Sequence, residues 1–545
     1  MVVIYLLAQI WSGIKTYGGS NIDILRNVDF YAPDNAVIFH FELSSSYKID
    51  NTSGSDFVII KSNLYGTSIW ERVIGVSNLN DWTYDIDYDA NGNILVVGIS
   101  CTPDGGSFLF CSGLPSAQNY GFVIKISSAD GSIINAIRLY DNWGNSTIGN
   151  YIRVLSVKST NDGGFVIGGE IKYERQQGLS WVSVTQGFVA KFDQNNNLQW
   201  IRAVGDTTMN ILDYRGVVSV FQASDGNIIA VSTAYSQIWV GKFNVNNGNL
   251  IWQRSYSRTR GVHRLSWAKL SSDGSIIIAD NIKTTTDSAN VLFVKLNSDG
   301  SFACARMFGT INSDVAIDVR EGSNYYYITG YYNSADKTPF FSNLFYAKIN
   351  KSNCSLVGSV RYLLPVTSEG RGISLKGGIV YITGWTDNAS FSNGNRDGIL
   401  AADSGIQDTC YWRSIIPDVN QSVSLSASSN WNIYNNVSVS LSNPIYTSLN
   451  VNVAKKRACG MLTPVDNGEF FENCEIVMNF QDRTLKIISK TNSIKNLKIY
   501  KIDGTIVYEK EFSDKELSVN LKSGVYILKM SYDGKVIQRK LFIRR

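Results

Sequence analysis

The stretch Asn91-Gly-Asn-Ile-Leu-Val-Val-Gly98 decides the fold, because it returns. It reappears as Asp162-Gly-Gly-Phe-Val-Ile-Gly168, Asp225-Gly-Asn-Ile-Ile-Ala-Val231, Asp273-Gly-Ser-Ile-Ile-Ile278 and Lys376-Gly-Gly-Ile-Val-Tyr-Ile-Thr-Gly384. Weaker copies stand at Asn35-Ala-Val-Ile-Phe39 and Asn324-Tyr-Tyr-Tyr-Ile-Thr-Gly330. Each copy is a tight-turn signal followed by a short β-branched run. A recurring unit is one supersecondary element that buries its faces against neighbouring copies.

Two further markers follow each copy. One is an apolar strand bearing a lysine: Lys61, Lys125, Lys191, Lys242, Lys295 and Lys348, spaced 51 to 66 residues apart. In the seventh copy, Gly398-Ile-Leu-Ala-Ala402, the lysine is lost. The other marker is a strand with a tryptophan, as at Trp70, Trp200, Trp252 and Trp412, with Arg138, Arg306 and Arg361 in the strands that lack it. Four short strands per unit, with no sustained helical period, give the size of one propeller blade. Seven units predict an all-β chain whose residues 9–416 form a seven-bladed β-propeller. A solenoid of stacked sheets is the competing architecture. A ring must pair its first and last edges. The strand holding Trp11 is therefore expected to complete the blade that contains Gly377–Ala402.

The rest of the chain divides in three. Residues 1–8, Met-Val-Val-Ile-Tyr-Leu-Leu-Ala, read as the tail of a signal peptide, with a first β-strand as the alternative. Residues 417–474 are a Ser/Asn-rich connector with one or two strands. Residues 475–545 form a separate small β-domain.

That last segment contains Leu497-Lys-Ile-Tyr500-Lys-Ile-Asp503-Gly504-Thr-Ile-Val-Tyr508, then Leu521-Lys-Ser-Gly524-Val-Tyr526-Ile-Leu-Lys, a late Asp533-Gly534 hairpin and a basic closing strand, Lys540-Leu-Phe-Ile-Arg-Arg545. It resembles the type A C-terminal sorting domain carried by cargo of the Bacteroidota type IX secretion system. The usual Pro-Asn-Pro opening is replaced by Asn479-Phe-Gln-Asp-Arg483. The resemblance implies an immunoglobulin-like β-sandwich and the secretion machinery as partner. It also implies export through the periplasm to the cell surface or beyond. The blades are similar to the tryptophan-docking blades of quinoprotein-like propellers.

Composition excludes several classes. Net charge is only +4 across 545 residues, with no long basic run, which argues against nucleic acid as a partner. No apolar stretch reaches the roughly 18–20 residues of a membrane span. Two histidines, His40 and His263, leave Ser-His-Asp catalysis and histidine metal sites poorly supported. No cysteine pair is adjacent, as a quinoprotein dehydrogenase would require, and no sialidase Asp box is complete. No cofactor is expected. The acidic turns Asp193–Asn197 and Asp87–Gly92 lack calcium-loop spacing, which leaves calcium as the weaker reading of them.

Seven cysteines, at 101, 111, 304, 354, 410, 459 and 474, show no zinc spacing. Cys101 and Cys111 flank one loop and are the candidate disulfide. The long connections all fall on one face of the ring. They carry the candidate ligand-binding rim: Trp82, Trp143, Tyr173 and Trp181. The functional expectation is noncatalytic recognition or adhesion to a glycan or a surface protein. An extracellular glycan hydrolase, sialidase-like or acting on polysaccharide, and a structural surface-layer component are the alternatives. Carboxylates and arginines converging in the central channel would favour the hydrolase.

Overall fold

The structure, a computed structural model, describes the strands and most tight turns between Gly13 and Gly460 and the strands between Cys474 and Ile543. Segments 1–12, 48–54, 105–106, 112–118, 142–150, 206–215, 258–266, 284–288, 335–340, 363–366, 388–395, 404–411 and 461–473, with shorter pieces elsewhere, lie outside the described residues. The described chain is all β, without a helix.

Seven antiparallel sheets form the propeller, and their inner four strands, a to d, follow the repeat. Blade one, for example, is Asp23–Tyr31, Ala36–Ser44, Phe57–Asn63 and Ser68–Gly75. Strands b and c are buried on both faces, because each blade stacks between two others. Ile94–Cys101 of blade two is buried at every position. Such strands read as continuous apolar runs, which is why the repeat stands out by its Val/Ile runs and not by alternation. The hydrophobic cores lie at the seams. One cluster joins Leu95 and Val123 of blade two to Ile167 and Phe188 of blade three, and another joins Val231 and Val240 of blade four to Ile278 and Leu292 of blade five.

The ring closes as expected, by an N-terminal strand. Gly13–Tyr17 pairs with Asp397–Asp403, from Gly13 opposite Ala402 to Tyr17 opposite Gly398. The tryptophan alignment needs correction, however. In the other blades the residue opposite the marker lysine is Trp70, Asn135, Trp200, Trp252, Cys304 or Gly358. In blade seven that residue is Gly13; Trp11 precedes it by two and lies outside the described residues.

The repeat pattern places Trp412 in the last strand of blade seven. Because Gly13–Tyr17 fills that place, Trp412–Ile415 turns back and becomes a fifth strand, e, on blade six. The Ser/Asn-rich stretch, expected to hold one or two strands, then supplies six more. Val419–Ser422 adds to blade five and Ser426–Ala427 to blade four. Asn432–Tyr434 joins blade three, and Val439–Ser442 joins blade two. Thr447–Asn450 joins blade one, and Lys455–Gly460 joins blade seven. The chain thus circles the ring a second time in the opposite sense.

The C-terminal unit is separate. It has a three-stranded sheet (Cys474–Asn479, Thr484–Ser489, Glu516–Asn520) and a four-stranded sheet ordered Ile506–Phe512, Lys495–Lys501, Gly524–Tyr532, Lys535–Ile543. Leu497, Ile499 and Val519 are its buried apolar residues among those described. Among the described residues no helix is long and apolar enough to cross a membrane.

Candidate functional site: the central channel and its mouth

Strand a of each blade borders the ring axis. In blades one, two, three, four, six and seven its pairing with strand b skips one residue at the same offset: Arg26, Tyr84, Leu155, Val218, Ile317 and Arg371. A β-bulge re-aims the extra side chain. Tyr84, Leu155, Val218 and Ile317 meet in one buried cluster with Trp267 of blade five. The Arg26 guanidinium lies 5.6 Å from the Tyr84 ring centroid and 5.4 Å from that of Trp267. Residues from so many blades can meet only on the axis, so the bulges plug the channel.

Below the plug the channel is charged. Except in blade seven, where Gly372 stands, each bulge residue is followed by a polar one that reaches into the next blade. Asp85 accepts from the Val157 amide (3.2 Å) and the Ser156 hydroxyl (3.1 Å). The Ser156 hydroxyl in turn accepts from the Val220 amide (3.2 Å), and that of Ser219 from the Ala268 amide (2.9 Å). Asp318 accepts from the Ile373 amide (3.0 Å), and the Asn27 amide donates to Asp85 (3.1 Å). Lower down, Lys158 pairs with Asp87 at 2.5 Å and Arg320 with Asp29 at 3.9 Å.

Burial raises the pKa of Asp85. Burial also works against the charge of Arg320, but Asp29, Asp318, Asp85 and Asp87 outweigh it and hold that pKa up. Four cations (Arg26, Lys158, Lys269, Arg320) meet four carboxylates (Asp29, Asp85, Asp87, Asp318), with Arg371 reaching in from the mouth. The space left between Arg26, Asp85, Lys269 and Asp318 is about 10 Å³, roughly one water molecule. Carboxylates and arginines do converge here, but in a network that holds blades together and leaves no room for a sugar.

The mouth above the plug, on the face of the long connections, is different. Trp82 stands two residues before the bulge of blade two. It is half-buried, packed beside Ile22, Ile24 and Trp385, with its indole N–H 3.4 Å from the Ser55 hydroxyl. Tyr151 and Tyr331, also half-buried, cover the plug cluster. Two acid–arginine pairs flank them. Glu170, buried, bonds Arg153 at 3.1 Å and the Tyr151 hydroxyl at 3.1 Å. Glu369 bonds Arg371 at 2.9 Å and the Trp385 indole at 3.1 Å, and Arg396 lies 4.1 Å from the Trp385 ring centroid.

Of the rim residues expected from sequence, Trp82 therefore lies at the mouth. Tyr173 and Trp181 lie on the same face, in the long hairpin of blade three (Phe165–Gln177, Ser180–Phe192), opposite Val184 and Gln176. Trp143 is outside the described residues. Glu170, Glu369, Arg153 and Arg371 escape the sequence reading; of these Arg371 is a bulge residue, and since each bulge stands five or six residues before its a–b turn, aligning the repeats on that turn would find it.

Cys101 is disulfide-bonded, and Cys111 pairs its backbone with Pro103. His40 is a core residue bonded to Thr83 at 2.6 Å; His263 is outside the described residues. The acidic turns cap themselves. Asp193 accepts from the amides of Asn195 and Asn197, and Asp89 from those of Asn91 and Asn93. Among the described residues no group of three or more His, Cys, Asp or Glu is placed to hold a metal ion.

The family model for the secretion system C-terminal sorting domain matches residues 481–544. No curated protein matches the chain. Among solved structures, a protein of unknown function from Dyadobacter fermentans is 12% identical, covering 59% of this chain and 96% of that one at a TM-score of 0.37. The Dos1 propeller is 9% identical over 72% of this chain and 95% of that one, TM-score 0.39. A point mutant of the NanB sialidase from Streptococcus pneumoniae is 11% identical over 70% and 68%, TM-score 0.38. Likenesses this distant assign no activity. Through residues 481–544 the chain belongs with the proteins exported to the cell surface or beyond by the type IX secretion system, here with a seven-bladed β-propeller as the cargo.

Proposed function

We propose that the propeller is a noncatalytic recognition module that binds a glycan outside the cell at the channel mouth. The observation that carries this reading is an aromatic floor, Trp82, Tyr151 and Tyr331, lying half-buried over a sealed channel. Aromatic faces stack on sugar rings at low entropic cost. The acid–arginine pairs beside them offer hydrogen bonds around that floor. Trp143, Tyr173 and Trp181 are the further members of this rim expected from sequence, and a Cys101–Cys111 bridge is expected in the loop insertion of blade two. Surface protein ligands are the second class this mouth suits, since tryptophan and tyrosine also anchor protein partners.

A glycan array on the purified protein tests the reading, followed by affinity measurement for Trp82→Ala. The loss should be about 2 kcal/mol or more, roughly thirtyfold. Because Trp82 also packs against its neighbours, binding is compared where near-ultraviolet circular dichroism shows the variant folded. Cleavage of a bound glycan, abolished by Glu170→Gln, would instead make the protein a hydrolase.

A further inference from the structure

The corner from strand d into the next strand a is built alike at three seams. A glycine, Gly18, Gly75 or Gly309, lies against two side chains, one opening strand c of its own blade and one opening strand a of the next. A Cβ on Gly75 would overlap the carboxylate of Asp56 and crowd that of Asp81. At Gly18 the two side chains are Asp397 and Asp23, and at Gly309 they are Asn290 and Asp314. The strand-a residue caps the corner. Asp81 accepts from the Val76 amide at 2.7 Å, Asp23 from the Gly19 amide at 2.8 Å, and Asp314 from the Thr310 amide. Two seams thus place acid against acid where the third places amide against acid. All six side chains are buried, Asp81, Asp23 and Asp397 completely.

We propose that Asp56 and Asp81 share one proton across the seam between blades one and two, and Asp397 and Asp23 across the seam between blades seven and one, making the grip on blade one pH-dependent. A carboxylic acid donating to a carboxylate does the work that the Asn290 amide can do beside Asp314. Two carboxylates this close and this dry cannot both ionise without repulsion.

The groups facing the first pair agree. The Ser100 hydroxyl donates to Asp81, and Ser44 exchanges backbone bonds with Asp56 (2.7 and 3.1 Å). The Asn80 amide oxygen accepts from the Ser55 amide at 2.9 Å. From blade two comes Tyr120, its phenol pushed up to about 12 by burial, with Arg138 behind it at 2.8 Å. Burial first, then the Asp56 charge and hydrogen bond, hold Asp81 well above the carboxylate range. At the second pair, burial outweighs the bonds from Ser44 and Ser46 and raises Asp23. Its other charged neighbour is Arg396, whose backbone carbonyl accepts from the Asp23 amide at 2.9 Å.

The sign follows from the raised values. Stability from such a pair is fully present below the unfolded carboxylate pKa and is lost as pH rises through the folded value. Melting of the full chain from about pH 4 to about pH 9 is the test. Asp56→Asn should remove an alkaline decline of roughly 2–4 °C that the wild type shows. Parallel curves for the two proteins would overturn the proposal. A second readout needs no variant. The infrared band of a protonated carboxylic acid should persist in the wild type at neutral pH and bleach on adding alkali. Its absence at neutral pH would equally overturn the shared proton.

Discussion

At the scale of single residues, the repeat markers prove to be parts of two devices. The marker lysine and the Asp-Gly turn are one. Lys61, Lys125, Lys191, Lys242 and Lys295 each reach the aspartate of their own a–b turn: Asp34, Asp89, Asp162, Asp225 and Asp273. Burial raises the turn carboxylates, but bonds from the lysine and from the turn's own amides and side chains outweigh it and hold Asp162, Asp225 and Asp273 below their usual range. Blade seven has lost both partners, with Ala402 and a Gly-Gly turn in their places. The second device docks one blade on the next. Trp70 and Trp200 donate their indole N–H to Ser128 and Val245 (3.0 and 2.7 Å), packing on the left-handed Gly131 (φ 74°) and Gly248 (φ 68°). Only glycine gives such a backbone without strain while leaving room for the ring. Between blades five and six, Cys304 stands in the tryptophan position and Cys354 (φ 57°) in the glycine position, and they form a disulfide with Cα atoms 6.1 Å apart. The bridge replaces the dock. Reduction should therefore cost about 2–4 kcal/mol, seen as a lower melting temperature in dithiothreitol. The double variant Cys304→Trp, Cys354→Gly should fold and lose that part of the sensitivity to reductant, keeping only what the Cys101 bridge contributes; a melting temperature as sensitive as the wild type's would show that the Cys304–Cys354 bridge is not the source. The cysteine spacing alone could not reveal this pair, because partners 50 residues apart become neighbours only once the blades are stacked.

At the scale of elements, strand a carries both the strength and the opacity of the ring. Its bulge sends one side chain to the axis, and the next residue caps the neighbouring blade's backbone, so a chain of hydrogen bonds runs around the channel. A buried amide left without its acceptor costs about 1–3 kcal/mol. Ser156→Ala removes the acceptor of the Val220 amide and a donor to Asp85. It should destabilise by that amount in denaturant titration and leave ligand affinity unchanged, since Ser156 lies below the plug. A loss of affinity without loss of stability would place the ligand inside the channel. This ring explains what was legible and what was not. The b and c strands are buried on both sides and announce themselves as Val/Ile runs between Asp-Gly and Asn-rich turns, so blade number could be read directly. Strand a must be apolar at the plug, charged beneath it and aromatic at the mouth. Arg26, Tyr84 and Leu155 share no residue type, and only their common place at the bulge, a few residues before the turn, unites them. Of the binding face, Trp82 was visible as a tryptophan outside the repeat pattern. Glu170 and Glu369 belong to the mouth through cross-strand contacts within blades three and seven that sequence does not display.

At the scale of the whole molecule, the second lap answers a problem that closing the ring leaves unsolved. A closed propeller still exposes the outer edge of every strand d, and open edges recruit other chains. The fifth strands cover the later half of these edges: Thr447–Asn450 against Arg72–Gly75, Val439–Ser442 against Arg138–Asp141, Val419–Ser422 against Arg306–Gly309. The Ser/Asn-rich composition suits this task, since each strand has one edge to offer and little core to fill, and for the same reason it reads as a connector. The lap ends on blade seven, where Lys455–Gly460 lies beside the closing strand Gly13–Tyr17. Both ends of the propeller chain are therefore secured on one blade before the sorting domain begins. Two truncations separate the roles of these parts. A chain ending at Gly460 keeps the ring and its second lap and loses only residues 461–545. It should melt like the intact protein and remain monomeric, yet accumulate in the periplasm of its native host, because the sorting domain is the address. A chain ending before Trp412 also loses the lap. Seven edges are then bare, and it should aggregate on sizing chromatography even when folded. Surface display of the first truncation would mean that export does not depend on the sorting domain. A soluble monomer from the second, with unchanged melting, would mean that the fifth strands protect nothing.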